Sequence, residues 1–401
     1  MKRVLTMIHT PTFGGPHTQM ERLSGPLAAR GWELLAVLPD EPGNGADRLR
    51  AAGVAVEQMP LHRLRASFDP RPHWRFAAGF FPEVRHIRRL IVEKACDVVL
   101  ICGVMHPHGA LAAYAAGVPV AWYLLSTFAP MSLRRVLMPV VTRLADVVIS
   151  TGMKVAQQHP GAVRLGNRLV PFFPPVDTTA FVADPRKRTA ARAELGIPDD
   201  ALVIGTVGNQ NRQKAHEFFV KAAARIRREI PQTWFRILGA PTATQAAYYE
   251  RDVKAEAVRL GLTVGRRLAF LDPGNRVAEL LPAFDLFLLT SRAEGVPTVV
   301  LEAMSCGIPV VATDVGSVSE VVEEGVTGMV VPSEDEAAMA RAVVTILQNP
   351  TACAAMGRTA REHAVQRYDT AICADTHVHA FETALAHHQL FRKSTPPLVK
   401  T

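Results

Sequence analysis

The chain has 401 residues, 48% hydrophobic and 20% charged. That is more than one ordinary core organises and too apolar for disorder, so two globular domains of similar size are expected. The net charge of +8 favours an anionic partner, and no apolar run reaches the roughly 20 residues of a membrane span.

In chain order, residues 1–9 are basic and apolar but too short for a secretory leader, and they run into Gly14-Gly15 rather than a small-residue cleavage site. They read as the first buried strand of a cytoplasmic protein. Apolar runs then alternate with amphipathic stretches, the mark of parallel sheets covered by helices. The pattern predicts strands at 3–9, 33–39, 97–102, 119–124 and 146–150, with helices at 18–30, closed by Gly31, and 108–116. Between Leu61 and Ala95 the cations Arg63, Arg65, Arg71, Arg75, Arg85, Arg88, Arg89 and Lys94 face only Asp69, Glu83 and Glu93. Such a field suits a phospholipid surface, a phosphorylated acceptor or nucleic acid, or it is simply a solvated face. Residues 131–144 alternate apolar and basic faces and are a second candidate for an anionic membrane, though Pro139 argues against a long helix. Pro171, Pro174 and Pro175 then interrupt the alternation, and this segment is expected to be a linker rather than strand or helix. Beyond it, strands are predicted at 201–207, 233–238, 285–290 and 309–313, helices at 215–228 and 299–306, and a terminal helix at 369–390. The five cysteines are scattered and lack zinc spacing, so reduced, buried thiols are expected.

The most informative run spans residues 283–313: a buried strand, a loop, a short helix closed by Gly307, and a second buried strand. Gly295 lets backbone approach a ligand, and Thr298 is expected to cap the helix, whose free amides form an anion site. Glu294 lies in the loop and Glu302 one turn into the helix. Two carboxylates beside an anion site would repel phosphate, so they should hold hydroxyls of a sugar or ribose instead.

Here the sequence resembles the retaining glycosyltransferases of family 4. Their signature of a strand, a Glu-Gly loop, a second Glu eight residues on, Glu-Ala-Met and Gly-x-Pro-Val-Val-Ala-Thr is matched from Asp285 to Thr313. The match continues through Val315-Gly316-Ser317, Glu320-Val321-Val322 and Gly325 to Gly328. The resemblance implies the GT-B fold, an α/β architecture of two doubly wound Rossmann-like domains facing across a cleft. It implies an acceptor domain at 1–175, a donor domain at 176–370 and a helix at 371–401 returning to the first domain. It places Glu294 on the donor sugar, Glu302 on the ribose, and the amides from Val296 to Thr298 at the diphosphate or sugar, with Gly295 and Pro297 in the same donor-binding loop. In a second match, Gly208 and Lys214 stand where the family grips the diphosphate, but Asn209 replaces its arginine, and Arg212 is the candidate to compensate.

The opening loop, with Gly15 and His17, matches less closely. The family's histidine that reaches the transferred sugar is missing from its usual strand, leaving His106 and His108 as candidates. The implied reaction retains anomeric configuration, uses a UDP-sugar first and a GDP-sugar next, and needs neither metal nor other cofactor. A glycan, lipid-linked or small-molecule acceptor remains open, and no nucleic-acid partner is expected, since the basic charge is not interleaved with a recognised motif or aromatic platform. A nucleotide-sugar epimerase on the same fold, or a nucleotide-sugar-binding protein with an impaired site, are the competing readings.

Overall fold

The computed structural model describes residues 1–63, 70–104, 107–127 and 129–394. The chain divides into two compact units, Met1–Pro175 with Thr370–Thr401, and Val176–Asp369.

The first unit is built on a seven-stranded parallel sheet: β1 (Lys2–Met7), β2 (Trp32–Pro39), β3 (Ala55–Met59), β4 (Val98–Cys102), β5 (Val120–Leu124), β6 (Val147–Thr151) and β7 (Leu169–Phe172), in the order β3-β2-β1-β4-β5-β6-β7. The near-continuous burial of β1, β2, β4, β5 and β6 follows from helices on both faces. The helices Pro70–Glu93, His108–Ala116 and Met131–Leu144 contribute to one core. On the other face the helices Gly15–Ala28 and Thr370–Ser394 pack, with Phe381 against Trp32 at 5.1 Å between ring centroids.

Three sequence expectations need correction. Pro171 does not interrupt structure: it lies in β7, in register with Ser150. β7 is the edge strand, where a missing amide leaves no ladder bond broken. The first helix runs Gly15–Ala28 and ends at Ala29, so Gly31 lies beyond the cap, in the turn to β2. Pro139 sits inside the helix Met131–Leu144 without ending it.

The second unit holds six parallel strands: β8 (Val203–Val207), β9 (Trp234–Leu238), β10 (Leu268–Leu271), β11 (Leu286–Leu289), β12 (Val310–Thr313) and β13 (Gly328–Val331), ordered β10-β9-β8-β11-β12-β13. In both units the order reverses beside the first strand, between β1 and β4 and between β8 and β11. Loops leaving adjacent strands there diverge to opposite faces and open a crevice at the carboxyl ends.

Candidate functional site

In the second unit, residues 208–215 leave β8 and residues 290–297 leave β11. Four hydrogen bonds lace these loops: Arg292 N to the Gln213 carbonyl at 2.8 Å, Arg292 Nη1 to the Arg212 carbonyl at 2.8 Å, Gln213 Nε2 to the Ala293 carbonyl at 2.8 Å, and Thr290 Oγ1 to the Lys214 carbonyl at 2.9 Å. Across them Lys214 Nζ donates to Glu294 Oε1 at 2.7 Å. Their side chains are 19% and 9% exposed, so the pair is shielded yet reachable. An ammonium carries three hydrogens and a carboxylate about four acceptor positions, so both keep capacity for a ligand. Gly208 makes room for the lysine stem, since a Cβ there would lie 3.1–3.2 Å from its carbons. Directly after Lys214, Ala215 adopts φ +49° at the start of the helix His216–Glu229. A left-handed alanine is strained, and the laced loops hold it there.

Glu302, in the helix Thr298–Ser305, is 5% exposed. The cap of this helix is Pro297, in extended conformation, and Thr298 is its first residue, with no side-chain cap bond. The expectation of a threonine cap is therefore corrected: the extended turn at Val296 and Pro297 places Thr298 one position too late. The first-turn amides of Thr298 and Val299 have no intrahelical acceptor. Behind the loop stands Gly316, at φ +60°, where a Cβ would meet the Glu294 carbonyl at 2.3 Å and the Gly295 carbonyl at 2.5 Å. Ser317 N donates to that Gly295 carbonyl at 2.8 Å. Sequence reasoning had Gly316 only as part of a pattern; its work as a buttress is visible only in space, as are the lacing roles of Gln213 and Thr290.

Asn209 is exposed, its carbonyl accepting from Asn211 N at 2.8 Å. Arg212 is 60% exposed. Its guanidinium lies 4.4 Å from the Tyr248 ring centroid and 3.8 Å from Asp252, a different engagement from the Lys214–Glu294 pair.

In the first unit, Gly14 is the cap of the helix Gly15–Ala28, and its amide donates to His17 Nδ1 at 3.2 Å. His17 is wholly buried, and burial pushes its pKa down to about 4. His106 lies outside the described residues. His108 is also wholly buried, against Phe76 and Phe80 and 3.5 Å from Glu83, and burial lowers its pKa to about 4. Burial in turn raises the Glu83 carboxyl, and its bonds from His62 oppose that rise. Both histidines are sealed from solvent in this conformation. The helix Pro70–Glu93 turns outward Trp74 and Phe81, 75% and 68% exposed, together with Arg71, Arg75, Arg85, Arg88 and Arg89. The helix Met131–Leu144 buries Met138 and Val141 and exposes Arg135, Val136 and Val140. Arg65 and Asp69 of the basic stretch lie outside the described residues. Among the described residues no group of three or more His, Cys, Asp or Glu is placed to hold a metal ion, and no helix is long and apolar enough to cross a membrane.

Residues 187–363 match the family model of glycosyl transferases group 1. The D-inositol 3-phosphate glycosyltransferase of Kribbella flavida is 33% identical over 215 residues, 53% of this chain and 50% of that protein. The protein of the same name from Mycobacterium avium is 36% identical over 200 residues, 49% and 45% of the two chains. The chain thus spans about half the length of these curated relatives. Among solved structures, Anabaena HepE in complex with UDP and glucose superposes with a TM-score of 0.79 at 21% identity, covering 95% of this chain and all of that one. A glycosyltransferase from Rickettsia africae gives 0.78 at 15%, covering 96% and 98%. The two parallel-sheet units are those of the GT-B fold, and the stretch that carries Lys214, Glu294 and Glu302 lies within the match to the glycosyl transferases group 1 model.

Proposed function

We propose that this chain is a retaining, metal-independent glycosyltransferase of the hexosyltransferase type. It moves a sugar from a nucleoside-diphosphate donor, a UDP-sugar first and a GDP-sugar next, to an acceptor hydroxyl. The observation that carries this reading is the Lys214–Glu294 pair at 2.7 Å, laid across two loops at the switch point of the second unit. The acceptor oxygen bonds to the anomeric carbon on the face from which the diphosphate departs, and the departing phosphate oxygen takes the acceptor's proton. Lys214 and the free amides of Thr298 and Val299 stabilise the charge that grows on the diphosphate. Glu294 accepts from hydroxyls of the sugar and Glu302 from the ribose, fixing the donor's pose. Arg212 joins the diphosphate by leaving Tyr248 and Asp252, an exposed engagement that costs little to break.

The D-inositol 3-phosphate relatives and the UDP and glucose bound by Anabaena HepE support a nucleotide-sugar donor and a polyol acceptor. The arginines, Trp74 and Phe81 of the first unit support work at an anionic membrane surface on a glycan or lipid-linked acceptor, as in envelope polysaccharide or glycolipid synthesis. The second reading, a nucleotide-sugar-binding protein with an impaired site, draws on Asn209 and on the seat of Arg212 at Tyr248.

Thermal unfolding against UDP, GDP, ADP, dTDP and CMP tests the donor site. Ligand at a hundred times its dissociation constant adds about 2.7 kcal/mol. One diphosphate should raise the melting midpoint, and Glu302→Ala should blunt the rise. Product analysis with the matching nucleotide-sugar then separates transfer from silent binding. The absence of any shift with all five nucleotides would overturn the reading.

A further inference from the structure

Away from the loops at the ends of β8 and β11, the second unit carries a cavity of about 460 Å³, within the usual range of small-molecule sites. Its floor is one face of the sheet edge. Alternation sends Phe235 and Ile237 of β9 into the core and leaves Trp234 and Arg236 on the opposite face, beside Ala269 and Leu271 of β10. Ala269 is opposite Arg236 in the ladder, and its small side chain leaves the space open. The walls are Glu194, Leu195 and Gly196 at the end of the helix Pro185–Glu194, Arg266, and Leu280.

Arg236 is 2% exposed and, among the described residues, no carboxylate stands within ion-pair distance of it. Its Nη1 donates to the Phe235 carbonyl at 2.9 Å and, at longer range, to those of Arg266 and Arg267; its Nη2 donates to the Leu195 carbonyl at 3.1 Å. Its Nε–H is buried with no hydrogen-bond partner. Burial lowers its pKa to about 10, which leaves it charged at neutral pH. A buried cation without a counter-charge is expensive, and one with an idle donor more so. The carboxylates in the lining are engaged elsewhere: Glu194 takes Arg276 on both oxygens at 2.8 and 2.6 Å, and Asp272 accepts from Gly274 N at 2.9 Å. Arg266 adds a second, exposed cation, and Trp234 a half-buried ring.

We propose that this cavity is a second ligand site, separate from the Lys214–Glu294 pair, for a small organic anion with a flat body. Its phosphate or carboxylate lies against the charges of Arg236 and Arg266, and its body against Trp234 and Leu271.

Titration calorimetry on the full chain tests it, with phenyl phosphate as probe and inorganic phosphate beside it. Phenyl phosphate should bind saturably and more tightly than inorganic phosphate. Arg236→Met should weaken it roughly 10- to 100-fold, the range for hydrogen bonds to charged groups. Ala269→Phe fills the cavity while keeping Arg236, and should abolish binding while leaving the melting shift with UDP intact. That variant keeps the test decisive if Arg236→Met does not fold. Lys214→Ala should leave phenyl phosphate binding unchanged, which separates this site from the donor site. Absence of saturable heat at millimolar probe, binding that survives Ala269→Phe, or binding lost in Lys214→Ala would each overturn the proposal.

Discussion

Replacing Gly316 by alanine tests whether the buttress behind the Glu294 loop sets the geometry of the site. The new Cβ would stand 2.3 Å from the Glu294 carbonyl oxygen, and real Cβ contacts essentially never fall under 3.0 Å. The obstacle is backbone, so the loop must retreat by at least 3.0 − 2.3 = 0.7 Å. The φ of +60° adds the left-handed penalty of a non-glycine residue, about 1–2 kcal/mol. Gly325→Ala is the matched control, with φ +73° and nothing within 4 Å of its Cβ, so it carries the penalty without the clash. Both variants should lose a few degrees of melting temperature, Gly316→Ala more. Only Gly316→Ala should lose transfer, since a displacement near 1 Å at a reacting geometry costs on the order of 100-fold. The readouts are kcat/KM for sugar transfer and the melting shift with UDP. Equal kcat/KM in the two alanine variants would show that the loop absorbs the clash, and the positioning role of Gly316 would be wrong.

Lys214→Ala strands a 9% exposed carboxylate at Glu294. It should weaken the preferred diphosphate about 10- to 100-fold, whereas Arg212→Ala, which removes an exposed cation, should weaken it less than tenfold; calorimetry with UDP would expose a reversed order. Acid should unfold the chain early, because burial holds His17, His108 and His377 at pKa values of about 4. Between pH 6.5 and 4 the unfolded chain binds more protons than the folded one. The stability linked to these rings is therefore complete above pH 6.5 and lost as pH falls through 4, on the order of 3 kcal/mol for each. Urea midpoints that stay level from pH 7 to pH 5 would contradict this.

Local chemistry made much of the molecule legible. Alternating apolar runs and amphipathic stretches marked the nine inner strands of the two sheets and missed the four edge strands, β3, β7, β10 and β13, because only a parallel strand buried on two faces has to be apolar throughout. The Glu294 to Thr313 run was readable for the same reason, since its helix, closing glycine and following strand are neighbours in sequence. Pro171 misled because proline's missing amide matters only where a neighbouring strand needs it, and a residue's place at a sheet edge is not a local property. Thr298 misled by one position, since the extended turn at Pro297 is set by what the loop packs against. The meeting of Lys214 with Glu294, 80 residues apart, the contact of Gly316 with the Glu294 carbonyl, and the stranding of Arg236 without a carboxylate were beyond the sequence. Each depends on which strands lie side by side, and strand order is decided by the packing of the whole sheet.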